Sequence, residues 1–136
     1  MKIRLSIVSL AAAAMLGMFP MLASANTAQE IATAAEHAGY AAKANDIQHV
    51  KLHLHHVMNC LVGPHGTGFY APAGDPCKGM GNGIENDDGH YSQAARKDLQ
   101  NVERTVAAGL NTQSYKIAVE AAKMAKSTLV DAKDEK

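Results

Sequence analysis

The chain reads as an all-α protein, a four-helix bundle of two antiparallel helical hairpins joined by a long Gly/Pro-rich loop. Three observations predict it. Four segments carry apolar residues at alternating three- and four-residue steps, the period of a helix with one buried face. Between the second and third of these, glycine and proline crowd out any regular pattern. The only two cysteines, Cys60 and Cys77, fall at the end of the second segment and in the middle of the loop, where a disulfide would staple the two together.

In chain order, Met1 to Arg4 is a short basic stretch, Leu5 to Leu22 is apolar, and Ala23-Ser-Ala25 has the form of a cleavage site. This is the layout of a secretory signal peptide, so residues 1–25 are expected to be removed and to lie outside the fold. No second apolar run of spanning length follows, so no membrane attachment is expected after cleavage. Residues 26–136 then form a single helical domain, periplasmic or secreted. Removing Lys2 and Arg4 from the thirteen basic residues leaves eleven against thirteen acidic ones. No basic patch stands out, which argues against a nucleic-acid partner. Tryptophan is absent and alanine abundant. The core must therefore be thin, with helices in close approach, and a small core of that kind gains from a covalent staple.

Thr27-Ala-Gln-Glu30 has the spacing of a capping box, and Ala28, Ile31, Ala35, Ala38 and Ala42 mark the seam of the first helix. Asn45-Asp46 ends it, with Asp46 as cap of a second helix that buries Ile47, Val50, Leu54, Met58 and Leu61. Residues 62–90 form the loop, punctuated by Gly63-Pro64, Ala71-Pro72, Asp75-Pro76 and Gly79, Gly81 and Gly83. The third helix resumes near Tyr91 on Ala95, Leu99, Val102 and Val106, with Gly109 as its C-terminal stop. Asn111 or Thr112 is expected to cap a fourth helix built on Ala118, Ala121, Ala122, Ala125 and Leu129. Met58 and Met124 both fit apolar seams.

Chemistry concentrates in His49-Val-Lys-Leu-His53-Leu-His55-His56-Val-Met-Asn-Cys60. His49, His53, His56 and Cys60 share one helical face, turned well over a right angle from the apolar seam. Neutral imidazole is the commonest protein metal ligand, and the expected site is built from His49, His53 and His56. Counting back from the Asn45 turn places His37 level with His53 as a further ligand. A Cys60–Cys77 disulfide would drape the loop along the same face, bringing His65, Asp87, Asp88 and His90 within reach, with His65 and His90 as secondary ligand candidates. In an exported chain the disulfide is favoured over a Cys60 thiolate ligand. Imidazoles suit copper, nickel and zinc, and the Irving–Williams order favours copper. His55 lies off the face, and Met80, between two glycines, is a weaker candidate for copper(I). Ile84 stands where an EF-hand loop needs its first aspartate, which excludes that calcium motif.

Alanine-rich hairpins that space histidines behind a signal peptide, here Ala34-Ala-Glu-His37-Ala, Ala41-Ala-Lys-Ala44 and His49 to His56, resemble the small metal-binding protein family of bacterial periplasms. The resemblance covers mainly residues 30–60 and implies a periplasmic helical bundle that sequesters divalent metal. Two features depart from it: Ser92 to Val130 holds no histidine, and the cysteine-bearing loop is extra. One localised site is therefore expected rather than several. No Ser/His/Asp order or carboxylate pair suggests an enzyme. The competing expectations are an interaction module that uses the stapled loop and a b-type cytochrome-like haem bundle. A haem site would need ligands on the apolar seam, which the histidine phase disfavours; the absence of C-x-x-C-H disfavours covalent haem.

Overall fold

The computed structural model describes residues 26–135, and the expected signal segment lies outside them. The first helix, α1 (Thr27–Lys43), starts one residue earlier than a capping box on Thr27 requires. Asn26 is the cap, its side-chain oxygen accepting from the Gln29 N–H at 3.2 Å. Thr27 and Glu30 are instead drawn into long-range contacts. The Thr27 hydroxyl donates to the Asp87 carbonyl at 2.8 Å, and the Glu30 carboxylate accepts from the Gly83 N–H at 3.2 Å. Each contact reaches more than fifty residues along the chain, which outweighs the local box.

Asp46 caps α2 (Ile47–Val62) as its spacing predicts, accepting from the His49 N–H at 3.0 Å. Gly63 ends it with φ of 69°, a left-handed conformation suited to glycine, and a side chain there would run into the Asn82 carbonyl. The buried faces are Ile31, Ala34, Ala35, Ala38 and Ala41 on α1, and Val50, Leu54, Val57, Met58 and Leu61 on α2. Alanine on the α1 face leaves no side chain beyond the methyl, so α1 packs closely against both α2 and the last helix.

The segment expected to lack regular structure holds more than loop. A 3₁₀ turn covers Ala71–Ala73, a one-turn helix α3 spans Ile84–Asp87, and a second 3₁₀ turn covers Asp88–His90. Ile84 anchors α3 by burying its side chain completely. Ser92 caps α4 (Gln93–Asn111), and Ser114 caps α5 (Tyr115–Asp134) in place of Asn111 or Thr112. Gly109 does not stop α4. It lies inside the helix, where an added Cβ would sit 2.8 Å from Leu54 Cδ1 and 2.9 Å from Ala121 Cβ. Glycine is there because three helices meet. Met124 departs from its expected seam and is 60% exposed, since Ala118, Ala121, Ala122, Ala125, Leu129 and Ala132 take the buried face of α5.

Among the described residues the protein is entirely helical, with no strand, and no helix is long and apolar enough to cross a membrane. Besides its contacts with α1, α5 packs along α4, and α2 also meets α4 and α5. The Cys60–Cys77 disulfide forms, with the two Cα atoms 5.3 Å apart and both residues buried. Closing a loop of 17 residues stabilises the fold by about 3 kcal/mol under a chain-entropy account.

Candidate metal centre

Three imidazoles converge where α1 crosses α2. His37 comes from the middle of α1, and His53 and His56 come from successive turns of α2. Residues three apart on a helix stand on one face, so α2 presents a pair of rings and α1 supplies the third. His37 Nδ1 lies 3.2 Å from His53 Nδ1 and 3.1 Å from His56 Nδ1. One ring nitrogen of each residue lies within 4.8 Å of those of the other two. Metal–imidazole bonds of roughly 2.0–2.1 Å in tetrahedral geometry separate neighbouring nitrogens by about 3.3 Å. The two gaps from His37 fall within a few tenths of an ångström of that edge.

The loop fixes the chemistry of one ring. His56 Nε2 stands 2.7 Å from the Ala73 carbonyl oxygen, which only accepts, so Nε2 carries the proton and donates. In the neutral ring this leaves the His56 Nδ1 lone pair bare and aimed at His37. A second nitrogen anchored to a backbone carbonyl is the usual support of a metal-bound histidine. The loop on either side of Ala73 is held in turn by Asn59, which is fully buried on α2. Its amide donates to the Tyr70 carbonyl at 3.0 Å and the Gly74 carbonyl at 2.6 Å, while its oxygen accepts from the Tyr70 N–H at 2.8 Å. The disulfide fastens the same loop three residues further on.

Burial disfavours the charged form of two of the rings. Burial, then the neighbouring His56 and His53, push the His37 pKa down to about 4. Burial also lowers His53, with His56 and His49 adding to the effect. Both are therefore neutral at pH 7, the form that binds metal. Tyr40 borders the group: its ring meets the His37 ring edge-on at 5.6 Å and lies 5.4 Å from that of His53. Its hydroxyl donates to the Glu36 carboxylate, which raises its pKa.

Of the residues expected to act together, His37, His53 and His56 do come together. His49 stands outside the group, exposed, with Nδ1 2.6 Å from the Asp46 carboxylate. Its helical phase is right, but the first turn of α2 projects beyond the level of His37. His65 and His90 are both exposed and lie outside the triad. The loop follows a different path from one that would bring Asp87 and Asp88 to the rings. Asp87 accepts from the Asn82 N–H at 2.6 Å, beside Glu30, and Asp88 opens the second 3₁₀ turn. His55 stacks on Tyr70 with centroids 4.3 Å apart. Met80 is partly buried rather than exposed, its sulfur accepting from the Thr33 hydroxyl at 3.7 Å. Cys60 is bonded to Cys77 and holds the loop rather than a ligand position.

Sequence reasoning missed three contributors: Tyr40, Asn59 and the Ala73 carbonyl. Tyr40 had a signal, standing three residues after His37 and hence on the same face. A backbone carbonyl has none.

Compared with known proteins, the chain has no significant match to any family model, curated protein or solved structure. Its function therefore rests on this geometry. Three imidazoles, one of them anchored by a carbonyl, form a nitrogen-rich site able to hold a metal ion.

Proposed function

We propose that the protein is an exported, non-enzymatic binder of a divalent transition metal, which it sequesters or buffers on His37, His53 and His56. The observation that carries this reading is the convergence of three Nδ1 atoms from two helices, with the His56 proton committed to Ala73. Without an ion, at most one proton on His37 Nδ1 serves two facing nitrogens. An ion would satisfy all three lone pairs at once.

The all-nitrogen donor set favours copper(II), then nickel or zinc. Three protein ligands leave a fourth position for water or an exchanging ligand, which suits reversible holding better than a closed structural site. The signal-peptide layout of residues 1–25 supports a periplasmic setting, and the buried disulfide is consistent with an oxidising compartment. In this reading the four long helices act as a four-helix bundle of two hairpins, a rigid frame of the small metal-binding protein kind. Calorimetric titration of residues 26–136 with copper, nickel and zinc tests it. Near-stoichiometric binding is expected, reduced at least a hundredfold in affinity by His53→Ala with His56→Ala. Unchanged affinity in the double variant would sink the site.

A further inference from the structure

The triad is sealed on two sides. Loop residues 70–74 cover His56 through the Ala73 carbonyl, and packing of α1 on α2 closes the core side. A cleft of about 410 Å³ reaches it from the α1–α2 turn, lined by Tyr40, Lys43, Asp46, His49 and His53. Three other cavities of similar or larger volume touch none of the triad.

Within this cleft His49 is prepared as a ligand. Its Nδ1 lies 2.6 Å from Asp46 Oδ2, while Asp46 Oδ1 is held by the His49 N–H. An imidazole that donates Nδ1–H to a carboxylate keeps its Nε2 lone pair free and becomes a stronger donor to metal. His49 and His53 stand one helical turn apart, the i, i+4 spacing by which two histidines grip a single ion. His53 thus belongs both to the cleft and to the triad.

We propose that His49 is the loading ligand of the metal centre, capturing a hydrated divalent cation in the cleft and passing it through His53 to His37 and His56. The transfer is ligand substitution alone: His49 and bound waters leave as His37 and His56 bind, and no electrons move. His53 stays bound throughout, so the ion is never released between the two positions. Asp46 sets the ring and contributes negative charge, against the Lys43 ammonium at the rim of the same cleft.

This rests on the triad reading, and stopped-flow zinc exchange separates the two. Zinc loading and its removal by a chromophoric chelator would be followed in the wild type, His49→Ala and Asp46→Asn. Asparagine caps helices as well as aspartate does, so Asp46→Asn removes the carboxylate while preserving the start of α2. His49→Ala is expected to slow loading and release together by fivefold or more, with equilibrium affinity kept within twofold. Asp46→Asn is expected to slow both by a smaller factor. Rates equal to wild type in His49→Ala would overturn the proposal. A tenfold loss of equilibrium affinity would overturn it too, making His49 a resident ligand. Failure of the wild type to bind zinc, copper or nickel would reject the triad itself.

Discussion

Replacing Glu30 by glutamine should make the protein more stable above neutral pH and about 1 kcal/mol less stable in acid. Glu30 is 1% exposed, its Oε1 accepts from the Gly83 N–H, and its Oε2 has no partner. Burial, reinforced by Asp87 and Asp75 and opposed by the Gly83 hydrogen bond, raises its pKa from 4.5 to about 7. Below pH 4.5 the carboxyl is protonated in both the folded and the unfolded chain and contributes nothing to the pH dependence. Between 4.5 and 7 the unfolded chain loses its proton while the folded one keeps it, so stability falls as pH rises. Above 7 the whole cost is present, at most about 3 kcal/mol from the shift. Glutamine keeps an acceptor for Gly83 but buries an amide, which costs about 1 kcal/mol at every pH if unmatched. The net gain at pH 8 is then about 2 kcal/mol. Urea unfolding of both proteins at pH 4.5 and pH 8 measures it, and the change in their difference between the two pH values cancels the amide cost. A difference that is the same at both pH values would show that folding leaves the Glu30 pKa near 4.5 and would refute the reasoning.

Three further outcomes follow from the same structure. Because burial holds the His37 pKa near 4 and lowers that of His53, zinc affinity should fall from pH 8 to pH 6 by less than the about 70-fold that three imidazoles of ordinary pKa would lose to protons, and a 70-fold loss in competition titration would contradict this. Cys60→Ser with Cys77→Ser should destabilise the fold by about 3 kcal/mol in denaturant and free the loop that orients His56; amide exchange at residues 70–74 no faster than in the wild type would contradict that coupling. Gly109→Ala should cost about 1–3 kcal/mol, because its methyl meets Leu54 and Ala121 at under 3 Å; equal thermal midpoints would show that the helices can move apart there.

The long helices were legible in the sequence because their apolar period is strong, and Asp46 because an acidic residue preceded a helical run without competition. The pairing of His37 with His53 was also legible, since a short turn fixes the level of one helix against the next. The misplacements have one physical origin, long-range contact. Asn26 took the cap from Thr27 because Asp87, sixty residues away, took the Thr27 hydroxyl. Gly109 looked like a helix stop but serves a crossing of three helices, which a local pattern does not contain. Within the candidate site, helical phase placed His49 on the ligand face and could not show that His37 meets only the later turns. The Ala73 carbonyl and its Asn59 clamp arise from the course of the loop, and loop paths leave no periodic mark.

In the proposed centre His37, on a different helix from the other two, shares one ion with His53 and His56. Metal stoichiometry and affinity of residues 26–136 with and without His37→Ala, measured with zinc and copper at pH 7.5, test this most directly. About one tightly held ion is expected in the wild type and at least tenfold weaker binding in the variant, with the helical content of both unchanged. Equal affinity in the two proteins would contradict it.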